Sequence, residues 1–83
     1  MSNLELLKTA FTVALSLPPD VDAAKTRFGE TAGWDSVAHM ALVAEIENTF
    51  DIMLETDQVI GMSSFGKALE IVASHGIVLQ PEE

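Results

Sequence analysis

Counted from His39, the side chains of Leu42, Val43, Ile46 and Phe50 recur at offsets of three, four, seven and eleven residues. That spacing is one stripe of an α-helix, and a stripe of this kind is stable only when it faces a core. Val37, Met40, Ala41 and Ala44 fall on other faces, interleaved with Glu45, Glu47 and Asn48, so the same helix carries apolar side chains on a surface that packing need not cover. Such residues suit contact with a partner. Asp35-Ser36 stands immediately ahead of the stripe, and Asp and Ser are both common N-cap residues, worth about 1 kcal/mol in that role.

Similar punctuation divides the rest of the chain. Ser2 and Glu5 have capping-box spacing, and Leu4, Leu7, Phe11, Ala14 and Leu15 continue as a helical stripe until Pro18-Pro19. Residues 18–34 mix Pro, Gly, Asp and Thr without a period, which predicts a long loop with a short turn near Val21 to Lys25. Long loops in small domains need anchors, and Val21, Phe28 and Trp34 are the apolar side chains available. The only tryptophan, Trp34, is expected on the core rather than facing a partner. Glu55-Thr56-Asp57 supplies helix-start residues before Val59-Ile60, and Gly61 halts a short third helix. Ser63 or Ser64 caps a last helix with Phe65, Ala68, Leu69 and Val72 on one face, and Gly76 suits its left-handed end.

The expected fold is therefore all-α: four helices closing on one core, with a long loop between the first two and a short third. Candidate core residues are Leu4, Leu7, Phe11, Leu15, Phe28, Leu42, Val43, Ile46, Phe50, Ile52, Ile60, Phe65, Leu69 and Val72. No repeat or composition break divides residues 1–83, which are read as a single domain with Gln80 to Glu83 frayed.

Composition removes several function classes. Four basic residues against thirteen acidic ones give a net charge of −9, which repels nucleic acid and anionic membranes and attracts basic protein patches. No apolar run is long enough to span a bilayer and no signal segment opens the chain, so a cytoplasmic monomer without a membrane span is expected. Cysteine is absent, so any thiol chemistry must come from an added group. His39 and His75 fall short of a recognisable metal set, and none is expected.

Ser36 then acquires a second meaning. The first N–H groups of a helix lack intrahelical partners and the macrodipole is positive there, so an anion attached at Ser36 would be stabilised. Trp34-Asp35-Ser36-Val37, followed by Leu42-Val43-Ala44-Glu45-Ile46-Glu47 and Phe50-Asp51-Ile52, resembles the acyl carrier proteins, over nearly the whole chain. The resemblance implies a non-catalytic, four-helix, acyl-carrier-like bundle. In that family the serine of an Asp-Ser-Leu motif carries 4′-phosphopantetheine, and Ser36 is the matching residue, with Asp35 ahead of it. Val37 replaces the usual Leu and keeps its apolar character.

A phosphopantetheinyl transferase would transfer the arm from coenzyme A. The terminal thiol would then hold acyl intermediates as thioesters for fatty-acid, polyketide or related biosynthesis. Partners implied are the transferase and acyl-loading and acyl-transfer enzymes with basic docking patches, meeting Val37 and Met40 by apolar contact and Asp35, Glu45, Glu47, Glu55 and Asp57 by charge. A peptidyl or aminoacyl carrier is the nearest alternative. An acidic helical binding module without a prosthetic group is another. An enzyme built on Asp35, Ser36 and His39 is disfavoured, because so short a chain has little room for an oxyanion site.

Overall fold

The computed structural model describes residues 2–79, so the expectation for Gln80 to Glu83 lies outside the described residues. In chain order it consists of α1 (Asn3–Leu15), a 3-10 turn (Ala23–Lys25), α2 (Ser36–Phe50), α3 (Thr56–Gly61) and α4 (Phe65–Ser74). The all-α expectation of four helices, with a long first loop and a short third helix, matches this order. No helix among the described residues is long and apolar enough to cross a membrane.

Local chemistry sets the helix ends. Ser2 accepts from the Glu5 N–H at 3.2 Å, forming the serine half of the expected box. α1 stops at Leu15, before the prolines, because Ser16 turns left-handed (φ 52°) and its N–H closes on the Thr12 and Val13 carbonyls. The reversal returns Leu17 to the core, where it is buried. Ser64 caps α4 by accepting from the Lys67 N–H at 3.2 Å, and Gly76 takes a left-handed φ of 87° just beyond the helix.

The buried side chains form one cluster that includes Leu7, Phe11 and Leu15 of α1, Leu42, Val43 and Ile46 of α2, and Phe65, Ala68 and Val72 of α4. Aromatic rings meet edge-on around Phe11 of α1, which lies 5.4 Å from Trp34 of the loop at 84° and 4.9 Å from Phe65 of α4 at 62°. Leu4, Phe50, Ile52 and Leu69 are half-buried against this cluster.

Three expectations for the core are corrected. Ile60 is 77% exposed, because α3 buries none of its own side chains and the apolar residue that enters the core is Met62, just past the helix end. Phe28 is 41% exposed: its N–H donates to the Ser63 carbonyl at 2.9 Å, holding it at the rim, while Trp34 fills the interior. Val21 is exposed and anchors nothing. The Asp22 carboxylate accepts from the Ala24 N–H, winding the 3-10 turn so that Ala23 is buried instead.

The anchor of the long loop is Trp34, 2% exposed. The loop is also stitched by its backbone: Thr26 accepts from the Phe65 N–H at 3.1 Å, Arg27 pairs with Ser64 in an isolated antiparallel bridge, and Gly29 N–H donates to the Trp34 carbonyl at 3.2 Å. Gly33 makes the last turn before Trp34 at φ 91°, where an added Cβ would stand 3.1 Å from the Leu15 carbonyl oxygen. Gly33→Ala therefore meets both backbone strain and a close contact, and is expected to lower unfolding stability in urea by about 1–2 kcal/mol. Gly61→Ala, with open space around the new methyl group and no positive φ, is expected to be neutral or slightly stabilising.

Candidate functional site

The start of α2 divides its work between two adjacent side chains. Asp35 is extended (φ −115°, ψ −171°) and its carboxylate accepts from the Ala38 N–H at 2.9 Å, while its carbonyl accepts from the His39 N–H at 2.8 Å. Asp35 is thus the cap that the sequence left open between Asp35 and Ser36. Ser36 is the first helical residue, solvent-exposed and outside the capping arrangement. Its hydroxyl stands at the positive end of a fifteen-residue helix.

Beside Ser36 opens an apolar cleft of about 360 Å³. Its lining takes Met40 from α2, Val59 and Ile60 from α3, Phe28 from the loop, and Met62 and Ser63 from the α3–α4 link. Val37, 81% exposed, and Met40, 58% exposed, extend apolar surface outward from the same helix. Ala41 and Ala44 are exposed as well, so the face left outside the core stripe is open along much of α2.

His39 stands in the lining and both of its ring nitrogens are engaged. The Trp34 indole N–H, which can only donate, lies 2.9 Å from Nδ1, and the Val59 carbonyl, which can only accept, lies 2.8 Å from Nε2. These partners assign the neutral ring with hydrogen on Nε2. The ring lies nearly parallel to the indole (6.0 Å between centroids, 18°), the two joined edge to edge by the indole N–H bond, and Phe28 packs perpendicular to it (5.3 Å, 82°). With Asp35 bonded to Ala38 and His39 to Trp34 and Val59, the three residues are not joined as a Ser-His-Asp relay.

The charged residues expected at a partner surface are in differing situations. Asp35, Glu55 and Asp57 are exposed and Glu45 is half-buried. Glu47 is half-buried, and its carboxylate accepts from the Leu54 N–H at 2.8 Å, tying the end of α2 to the next loop. Glu55 caps α3 in a box whose other half is Gln58, which accepts from the Glu55 N–H at 3.0 Å. Between Phe28 and Gly66 the sequence holds Glu30, Asp35, Glu45, Glu47, Asp51, Glu55 and Asp57 and neither Lys nor Arg, so α2 and α3 form a wholly acidic segment. Among the described residues no group of three or more His, Asp or Glu is arranged to hold a metal ion.

The sequence reading placed Ser36, Asp35, Val37 and Met40 near one another, and they are contiguous in space. Ile60 and Phe28, which hydrophobicity alone would send to the core, complete the lining instead. Sequence alone does not pair Trp34 with His39: a five-residue separation across a helix cap has no periodicity to betray it.

Comparison with protein-family models, with curated proteins and with solved structures finds no match for this chain. The division of labour at α2 is open to a direct check by thermal or urea unfolding. Asp35→Ala is expected to cost about 1 kcal/mol, the loss of one N-cap, whereas Ser36→Ala is expected to stay within about 0.5 kcal/mol of wild type.

Proposed function

We propose that the chain is a carrier protein of the acyl-carrier type, with 4′-phosphopantetheine attached through a phosphodiester to Ser36 Oγ. The observation that carries this reading is an exposed serine hydroxyl, relieved of capping by Asp35, at the first position of α2 and on the lining of an apolar cleft. A phosphate at Ser36 lies where a helix terminus favours negative charge. In a chain without cysteine, the arm supplies the thiol on which a carboxylic acid is held as a thioester.

The protein's role is then delivery rather than catalysis. A transferase brings the arm from coenzyme A, with Ser36 as the accepting hydroxyl in the transferase's own active site. The tether turns each later meeting of cargo and docked enzyme into an encounter at high effective concentration. Val37 and Met40 offer apolar contact around the attachment point. The acidic segment from Phe28 to Gly66 steers basic docking patches, an effect exerted mainly on association rate.

The cleft gives an acyl chain somewhere to go. Covering six methylenes at ~0.8 kcal/mol each would contribute about 5 kcal/mol, comparable with the stability of a domain this small. An apolar lining of Phe28, Met40, Val59, Ile60 and Met62 favours an aliphatic or polyketide cargo over a charged aminoacyl group.

Intact-mass spectrometry after incubation with coenzyme A and a broad-specificity phosphopantetheinyl transferase tests the proposal. Wild type is expected to gain the mass of one phosphopantetheine, and Ser36→Ala to gain none while keeping its helical circular dichroism. An unchanged wild-type mass with several transferases would favour an acidic binding module without a prosthetic group. Loading of the holo form by adenylating enzymes specific for amino acids, and not by acyl-transfer enzymes, would favour a peptidyl carrier.

A further inference from the structure

Helix α3 is the least secured element that lines the cleft. It has six residues and buries none of them, yet Val59 and Ile60 make one wall beside Ser36. Its side-chain hydrogen bonds to the neighbouring helices come from two directions. On the α2 side His39 Nε2–H donates to the Val59 carbonyl at 2.8 Å. On the α4 side the His75 ring nitrogen Nε2 lies 3.0 Å from Gln58 Oε1, and Gln58 Nε2 reaches Ser74 Oγ at 3.4 Å. Both histidines of the chain are therefore spent on holding α3.

The two attachments differ in firmness. The Gln58 contacts run from one half-buried amide to half-buried His75 and exposed Ser74, with no buried ring behind them, and the longer is near the limit of a useful hydrogen bond. The His39 attachment is backed by the core. Trp34 is buried against Phe11, and its N–H fixes Nδ1 of His39 as an acceptor. The Trp34 bond and the perpendicular ring of Phe28 limit rotation of the imidazole, leaving Nε2–H aimed at Val59.

We propose that His39 is a positioning residue: locked by Trp34 in one neutral tautomer, it latches α3 across the cleft and so sets the width of the opening beside Ser36. An element with few buried contacts opens locally before the bundle does, and its remaining hydrogen bonds then govern how often. Loss of the latch lets α3 swing from α2 while the packing of α1 and α2 stays closed. The value of that motion for admitting a cargo rests on the carrier reading; the latch itself does not.

Two substitutions separate the two ends of the imidazole. In His39→Asn the short amide can still offer an oxygen near the position of Nδ1 but cannot reach Val59. In His39→Gln the longer amide can donate near the position of Nε2 but gives up the acceptor for Trp34. Amide hydrogen exchange read by NMR is expected to speed up by about tenfold at Val59, Ile60 and Met62 in His39→Asn, the loss of one hydrogen bond, and to change little there in His39→Gln. The Trp34 indole N–H is expected to show the reverse order.

In wild type at mildly alkaline pH, two-bond proton–nitrogen correlations of the His39 ring should give the pattern of hydrogen on Nε2. A hydrogen on Nδ1 instead, or α3 exchange that rises equally in both variants or in neither, would overturn the latch. The wild-type ring spectrum decides even if a variant fails to fold. A protein that passes these tests while Ser36 takes up no phosphopantetheine keeps the latch and loses the carrier reading.

Discussion

Burial of the Trp34 indole is the interaction on which the remaining geometry depends. Trp34 belongs to the loop that precedes α2, yet it packs edge-on against Phe11 of α1 and meets His39 of α2 edge to edge. One side chain thereby joins the two helices that form the main body of the bundle and fixes the loop between them. Removing a buried aromatic of this size costs about 3–5 kcal/mol, a large share of the 5–15 kcal/mol that holds a typical domain together. The indole N–H is not left unpaired inside, because His39 Nδ1 accepts from it at 2.9 Å. Packing and polar satisfaction thus agree at one residue, and the two residues that follow are delivered to a fixed place on the surface.

What is delivered is a serine with nothing to hold. Asp35 closes the helix terminus, so the exposed Ser36 hydroxyl is not used as its cap. Around it the side chains that packing does not need are apolar, and the charges on α2 and α3 are all negative. An open hydroxyl, an apolar cleft and a single-sign field are what the proposed carrier role would use: a point of attachment, a shelter and a surface that steers basic partners.

Much of this was legible from the order of residues. Helix ends came through because caps are local: Ser2, Ser64, Glu55 and Gly76 act within one turn of themselves. The buried stripe of α2 came through because fifteen residues provide four turns over which a face is defined. α3 gave less than two turns, too few to define a face, so Ile60 was expected inside where Met62 goes. Phe28 misled for a related reason. An aromatic in a loop can be core or rim, and a backbone bond to Ser63, thirty-five residues away, makes it rim. Asp35 and Ser36 are equally good caps by residue type, and only the backbone path into the helix separates them.

Quenching of Trp34 fluorescence by acrylamide tests the central constraint most directly, because the chain has no other tryptophan. A buried, loop-locking indole requires quenching many times slower than that of free indole in water, with the rate approaching the free value only on unfolding. Quenching of the native protein at the rate of an exposed side chain would contradict the anchoring of the loop, and with it the placement of Ser36.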